Sequence, residues 1–468
     1  MSFDVLPAEL VLLTLDCIDS VTSLKDCCLV SKRFRAIAQP LLFHEITLAP
    51  EGLPQSLLLL CRTITTCPLI ASQVRLFDID TEKSELVTAS DPDAPTRPGL
   101  SVADLGLMKI EAQNLRLNSI ASFSSKTWAT DSIILPILLI SRFPNLRELF
   151  ITLDPAGICL LTALVQARTE DNTSQSLSCL ARFKTLHLAC FQDSLGNEID
   201  LTSITFLLSL LHLSKIQISD YAFNSHANEQ GICNTIDTLD VPLGPLSIST
   251  ISLCFSSMKA AGVQTLVNSC KELAAFYCGQ CDSQPEQLNP QELYALLKSQ
   301  RSTLRVLQLS FQDDSVAICT SPVFTKSQFG SLKKFDRLEY LTVDQLYLGN
   351  TPDLPSSLTH LVIQNCQTPI AQSLTYLANL ALAGYLPSLE SVSLHSDAIY
   401  PGGMLDLPHR GATDVLFHEA CLNLQKRFNG TGITLRLDTD LLGVTARGYE
   451  TAFEYGHPGI FWPFIYLE

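Results

Sequence analysis

The side chains best able to do chemistry in this chain are its cysteines and histidines, and their spacing does not assemble a reaction centre. Cys278-Gly279-Gln280-Cys281 is the single Cys-x-x-Cys among sixteen cysteines. A structural zinc would need a second pair at comparable spacing, and Cys254 and Cys270 do not supply it. Redox work would need the pair at a strand-to-helix turn with a depressed thiol pKa. Cys278 instead falls on an apolar repeat position, which makes it a core residue. The nine histidines are scattered; His409, His418 and Cys421 share the C-terminal region, but nothing orients them as a catalytic set. There is no Gly-rich phosphate loop, no Gly-x-Ser-x-Gly and no His-Glu-x-x-His. The carboxylates form no evident acid–base pair, and no run of arginines marks a phosphate site. The sequence therefore assigns no catalytic, metal or cofactor-binding residue, and a binding protein is expected rather than an enzyme.

Composition narrows the partners. The 468 residues are 46% hydrophobic and 17% charged, enough apolar material for a large core. With 31 basic and 47 acidic residues the formal charge is −16. Such a field repels phosphate backbones, so nucleic acid is not expected as a partner. The first ten residues lack the basic start and apolar core of a secretory signal. Reduced, buried thiols are then the expected state of the cysteines, and cytoplasmic or nuclear residence follows. The most apolar windows, Leu57 to Cys61 and Ile133 to Ile140, are far shorter than the roughly 20 residues that span a bilayer, so no membrane association is expected.

Short helices are expected to open the chain. Pro7 suits a first helical position, and Glu9 suits the positive end of the helix dipole. Leu6, Leu10, Leu13 and Cys17 recur at helical spacing and predict the buried face. Asp19 and Ser20 break that helix and cap a second one through Leu24. A third, Leu24 to Ala38, carries Leu24, Cys27, Cys28, Val30, Phe34, Ile37 and Ala38, and Gln39-Pro40 is expected to end it. Three helices of this length make a small core that needs a neighbour.

The order Leu6-Pro7-Ala8-Glu9-Leu10, Leu24, Val30-Ser31-Lys32-Arg33-Phe34-Arg35, Pro40-Leu41-Leu42-Phe43 and Ile46-Thr47-Leu48 resembles the F-box of fungal F-box proteins. The resemblance covers about a tenth of the chain. One departure is Leu15-Asp16-Cys17-Ile18-Asp19, which lacks the Leu-Pro turn frequent between the first two helices. The resemblance implies apolar docking on a Skp-type adaptor, and through it a cullin, by Leu6, Pro7, Leu10, Leu13, Leu24, Val30 and Phe34.

The remainder carries a second pattern: an apolar residue, two variable, an apolar, one variable, an apolar. It runs through Leu146/Leu149/Ile151, Phe183/Leu186/Leu188, Leu213/Ile216/Ile218, Ile248/Ile251/Leu253 and Leu273/Phe276/Cys278. It continues through Leu304/Leu307/Leu309, Leu338/Leu341/Val343, Leu358/Leu361/Ile363 and Leu389/Val392/Leu394. Successive units lie 20 (Leu338 to Leu358) to 37 (Leu146 to Phe183) residues apart, against about 20–29 for leucine-rich repeats, which the pattern resembles. Helix-length segments such as Ser203 to Leu211, Lys259 to Ser269, Gln291 to Ser299 and Ala371 to Leu382 separate them.

The expected fold is α/β: a three-helix F-box followed by an irregular leucine-rich-repeat solenoid, with parallel strands on the concave face and helices outside. The expected segments are 1–48 (F-box), 49–80 (connecting helix and first repeat-like strand), 81–104 (flexible loop), 105–438 (solenoid) and 439–468 (aromatic cap). Residues flanking the middle apolar position face outward. They include Glu148, Lys215 and Thr342, and the candidate target-binding residues Phe150, His187, Gln217, Tyr277, Gln308, Tyr340 and His360.

The function these features imply is substrate recognition for a Skp–cullin–F-box ubiquitin ligase, with an unidentified target protein on the repeats. The alternatives are a repeat scaffold, an F-box protein acting with the adaptor outside ubiquitination, or a hydrolase whose site the motifs do not reveal.

Overall fold

Two serines cap the second and third helices. Ser20 accepts a hydrogen bond from the Ser23 amide and caps α2 (Val21–Val30), and Ser31 does the same from Phe34 for α3 (Lys32–Leu42). Pro7 stands just outside α1 (Ala8–Asp16), its carbonyl accepting from Leu10 and Val11 at 3.2 Å each. In this computed structural model the described residues are 6–18, 20–48, 53–79, 134–153, 155–170, 182–191, 213–221, 246–254, 260–281, 290–312, 329–364, 370–394 and 430–437, with residues 106, 108–110, 112–113, 208, 366, 425–426 and 428. The expected loop 81–104 and the aromatic cap 439–468 lie outside them.

The helical boundaries differ from the expected ones. Helix α2 continues past Leu24 to Val30, because Ser31, and not Leu24, is where the third helix starts. Pro40 lies inside the last turn of α3. There it removes only one backbone donor, and the helix closes around it through Phe43 N–H to Gln39 O (3.3 Å) and His44 N–H to Leu41 O (3.1 Å). The buried face of α1 is also different. Val11 and Leu15 pack with Leu24, Cys28 and Ala38 in a small core flanked by Leu6, Phe34 and Ile37. Leu10, Leu13 and Cys17 point away from it. Since α1 is apolar nearly all round, periodicity alone could not choose its inner face.

The chain divides into two compact units, Met1–Leu273 and Ala274–Glu468. In the first, strands β1 (Glu45–Leu48), β2 (Leu76–Ile79), β3 (Glu148–Leu153), β4 (Thr185–Phe191), β5 (Lys215–Tyr221) and β6 (Thr250–Cys254) pair in chain order, all parallel. Parallel neighbours need a crossover. Helices α4 (Leu53–Thr66) and α5 (Pro68–Ala71) supply the one between β1 and β2, and α6 (Ile134–Ile140), with every residue buried, precedes β3. Helix α7 (Pro155–Glu170) follows β3, and α8 (Ala260–Ser269) follows β6.

Register places Ile46, Phe77, Leu149, Leu186, Ile216 and Ile251 in one buried row. A second row reads from Leu48 through Ile79, Ile151, Leu188 and Ile218 to Leu253, buried from Ile79 onward. The helical module runs straight into this sheet, since β1 belongs to the same 1–48 segment. The His44 carbonyl accepts from the Arg75 and Leu76 amides at 2.9 and 3.1 Å. The triplets at Phe43/Ile46/Leu48 and Val74/Phe77/Ile79 are therefore further repeats.

The second unit repeats the plan. Strands β7 (Ala275–Cys281), β8 (Val306–Gln312), β9 (Tyr340–Asp344), β10 (His360–Gln364), β11 (Ser391–Leu394) and β12 (Thr434–Leu437) are again parallel and in chain order. Phe276, Leu307, Leu341, Leu361, Val392 and Leu435 form its buried row. Helices α9 (Pro290–Leu297), α10 (Gln345–Leu348) and α11 (Ile370–Leu382) lie between strands. Helix α10 ends at Gly349, whose φ of 72° favours glycine. All strand triplets expected from the sequence fall on strands, and their leading residues, from Leu146 to Leu389, are buried. The architecture is α/β with parallel strands in chain order, compatible with a repeat solenoid.

Candidate functional site

Two surfaces stand out. On the helical module Leu10 is 49% exposed, Leu13 62% and Val30 68%, and Leu12, Val21 and Leu29 are exposed beside them in sequence. Large apolar side chains left uncovered on so small a unit are the feature expected of a docking surface. Of the other residues singled out from sequence, Pro7 is exposed, Leu6 and Phe34 are partly buried against the module's core, and Leu24, 8% exposed, belongs to that core. Two backbone acceptors are held by arginines: Arg33 donates to the Leu6 carbonyl and Arg35 Nε to the Cys28 carbonyl at 3.1 Å. They tie the chain before α1 and the body of α2 to α3.

The second surface is the sheet face turned away from the buried rows. In the first unit, register brings Thr47, Asp78, Phe150, His187, Gln217 and Ser252 into one row across six strands. The sequence pattern marked Phe150, His187 and Gln217 but not Thr47 or Asp78, although the Val74/Phe77/Ile79 triplet carried the signal. Phe150 and His187 stack with ring centroids 3.8 Å apart and planes 11° apart. Lys215 lies in the neighbouring outward row with Glu148 and Thr185.

In the second unit Tyr277, Gln308 and Thr342 share one row, and Tyr340 and His360 share the other. The Tyr340 and His360 rings stack at 4.4 Å and 8°. Gln308 is only 9% exposed, so it contributes an edge rather than an open side chain. Each unit thus carries its own set of the candidate residues.

Burial governs the electrostatics of this face. It pushes the His187 imidazole down to about 3, with the Lys215 cation adding to the effect and the Gln217 amide opposing it. Lys215 is itself lowered by burial, against the pull of Glu148, and burial raises the Tyr277 phenol. Gln217 and Gln364 each keep a buried Oε1 with no hydrogen-bond partner among the described residues. Such an acceptor costs about 1–3 kcal/mol until a donor reaches it.

A pH prediction follows from His187. Its folded value lies below the ordinary value near 6.5, so the unfolded chain takes up the proton first. The contribution is fully present above about pH 6.5 and is lost as pH falls from there toward 3. His187→Gln should therefore reduce the drop in urea midpoint between pH 7 and pH 5 relative to the wild type. Equal drops in the two proteins would defeat it.

Cys278 is buried at a core position of β7, and burial pushes the Cys270 thiol up to about 12. Among the described residues no cluster of three or more His, Cys, Asp or Glu could hold a metal, and no helix is long and apolar enough to cross a membrane. A cleft in the second unit, lined by Leu309, Phe329, Leu341, Tyr347 and Leu354, holds one carboxylate, Asp353, which accepts from the Ser331 hydroxyl. No protein-family model matches the chain, and no curated protein matches it.

Proposed function

We propose that this chain is a substrate receptor of a Skp–cullin–F-box ubiquitin ligase, acting in the cytoplasm or nucleus. The helical module docks the Skp-type adaptor, and the strand repeats, read as irregular leucine-rich repeats, bind a target protein. The observation that carries the reading is the uncovered apolar surface at Leu10, Leu13 and Val30 on a module whose sequence resembles an F-box. A groove that takes those side chains would bury a few anchors, and a few anchors carry most of the energy of such an interface. The stacked aromatic and imidazole rings of the sheet faces support protein recognition there.

No residue of the chain then needs to make or break bonds. The ligase works by proximity, holding a target lysine near a charged conjugating enzyme so that encounter becomes effectively intramolecular. The test is reconstitution: the full chain mixed with purified Skp-type adaptor and cullin should elute with both from size exclusion. Elution with the adaptor but without the cullin would favour a role outside ubiquitination, and elution alone would reject the reading.

A further inference from the structure

The helical module continues directly into a row of cations. Helix α3 ends at Leu42, and soon after it the His44 carbonyl accepts from the Arg75 amide at 2.9 Å. From Arg75 the backbone ladder steps sideways. Arg147 N–H donates to the Arg75 carbonyl at 2.7 Å, and Lys184 N–H to the Arg147 carbonyl at 2.8 Å. Arg75, Arg147 and Lys184 each stand just before a strand, β2, β3 and β4 in turn, and all three are exposed. Neighbouring strands lie about 4.8 Å apart, so the three backbones span roughly 10 Å. At β5 and β6 the same position holds Ser214 and Ser249, whose hydroxyls bond back to the ladder carbonyls at 3.2 Å. In the first unit the cations are therefore confined to the strands next after the helical module.

The exposed apolar surface of the module reaches the same place. Asp16 ends α1, one turn beyond Leu12 and Leu13, so these three exposed side chains are neighbours on one face. His44 feels both this end of α1 and the cations. Burial lowers its imidazole, Arg75 and Arg147 lower it further, and Glu45 and Asp16 oppose them. Like charges on adjacent strands are destabilising, and among the described residues Arg75, Arg147 and Lys184 have no ion-pair partner. In the second unit the same position holds Arg305 and then Glu339, which pair through Nε–Oε1 at 3.0 Å and Nη2–Oε2 at 2.7 Å. The uncompensated row thus adjoins the apolar surface, in a chain whose net charge is −16.

We propose that the Arg75–Arg147–Lys184 row is a second part of the adaptor interface, supplied by the strand repeats rather than by the helices, and that the adaptor meets it with a run of Asp or Glu. The inference rests on reading the helical module as the adaptor-docking unit. The two parts do different work. Apolar anchors such as Leu10, Leu13 and Val30 govern how long a complex lasts, whereas exposed charges at a rim govern how fast and in which orientation it forms. Three cations within about 10 Å attract a short acidic run. The negative field of the rest of the chain repels that run from other faces, so the row also fixes the direction of approach.

The test uses the full chain and purified Skp-type adaptor, with association and dissociation followed by stopped-flow fluorescence between about 0.05 and 0.5 M sodium chloride, a range over which salt screens exposed charges. The wild-type association rate should fall by at least about tenfold across that range while dissociation changes little. Arg75→Ser with Arg147→Ser gives β2 and β3 the residue that the ladder already carries before β5 and β6, so the fold tolerates it. At low salt this pair should associate about tenfold more slowly than the wild type, with most of the salt dependence gone and dissociation unchanged. Arg75→Lys with Arg147→Lys keeps the charge and should keep the fast association. Lys333→Ala with Lys334→Ala changes the net charge by the same amount in the second unit and should leave the rates as they are. Wild-type association that ignores salt, or a serine pair that associates as fast as the wild type, overturns the proposal and leaves adaptor docking by the helices standing. Self-association of the wild type that the serine pair abolishes also overturns it, since a second copy would then occupy the row. A wild type that binds no adaptor at all rejects the docking reading and this inference with it.

Discussion

Leu10→Asp combined with Val30→Asp should weaken adaptor capture by about a hundredfold or more while leaving the folded chain nearly as stable as the wild type. Both side chains are exposed and neither belongs to the module's core. A charge placed there costs little in the free protein, within about 0.5 kcal/mol at a typical surface site. In a complex the same carboxylates would be buried in an apolar groove without partners, and the loss from such buried anchors reaches about 2–4 kcal/mol each. The readout is a pair of measurements on one preparation: adaptor affinity by calorimetry and the urea midpoint by circular dichroism. Undiminished affinity would reject this surface as the docking site.

Two cruder variants would not separate the possibilities. Leu24→Asp places its charge in the core with Val11 and Cys28, so it would unfold the module whatever that module binds. Deleting residues 1–48 also removes β1, which pairs with β2 from Glu45↔Leu76 to Leu48↔Ile79. The deletion would bare the edge of β2, and a lost interaction could reflect damage to the repeats.

The apolar triplets were legible because each strand buries two alternate residues and tucks a leading residue beneath the turn before it. That rule locates β3 to β11 from composition alone. It also fits β1, but Phe43, Ile46 and Leu48 sit inside a stretch read as helical module, so the first repeat was assigned to its neighbour. The inner face of α1 was not legible, since Leu10 and Leu13 are as apolar as Val11 and Leu15. The outward rows were half legible. The pattern marks which residues leave the core, but register decides that Phe150 lies on His187 and Tyr340 on His360.

The side-by-side placement of Arg75, Arg147 and Lys184, where the Arg147 amide donates to the Arg75 carbonyl and the Lys184 amide to the Arg147 carbonyl, was not legible at all. Arg75 and Arg147 are 72 positions apart, Arg147 and Lys184 another 37, and the irregular spacing hides that all three precede a strand. Backbone bonding across the ladder supplies the missing information. An arrangement built this way depends on the packing under it more than on its own side chains.

That dependence makes Phe77→Ala the most damaging single change expected in the first unit. Phe77 is fully buried on β2, two residues beyond Arg75, and meets Phe143 edge-on with ring centroids 5.3 Å apart and planes at 65°. Removing a buried ring of this size costs about 3–5 kcal/mol, a large part of the 5–15 kcal/mol typical of a folded domain. In a stack where each repeat is stabilised by its neighbours, the loss should be local first. Strand β2 is the only described partner of β1, and β1 continues directly from the helical module. Hydrogen exchange should accordingly lose protection across residues 43–48, 74–79 and 143–151 before it changes in residues 304–364. The urea midpoint of the first unit should fall in parallel. A loss below about 1 kcal/mol, or one spread evenly over both units, would contradict the packing described. Because β2 supports the end of the helical module, this one cavity should also weaken adaptor capture, whereas the surface variant at Leu10 and Val30 should weaken capture without the loss of stability.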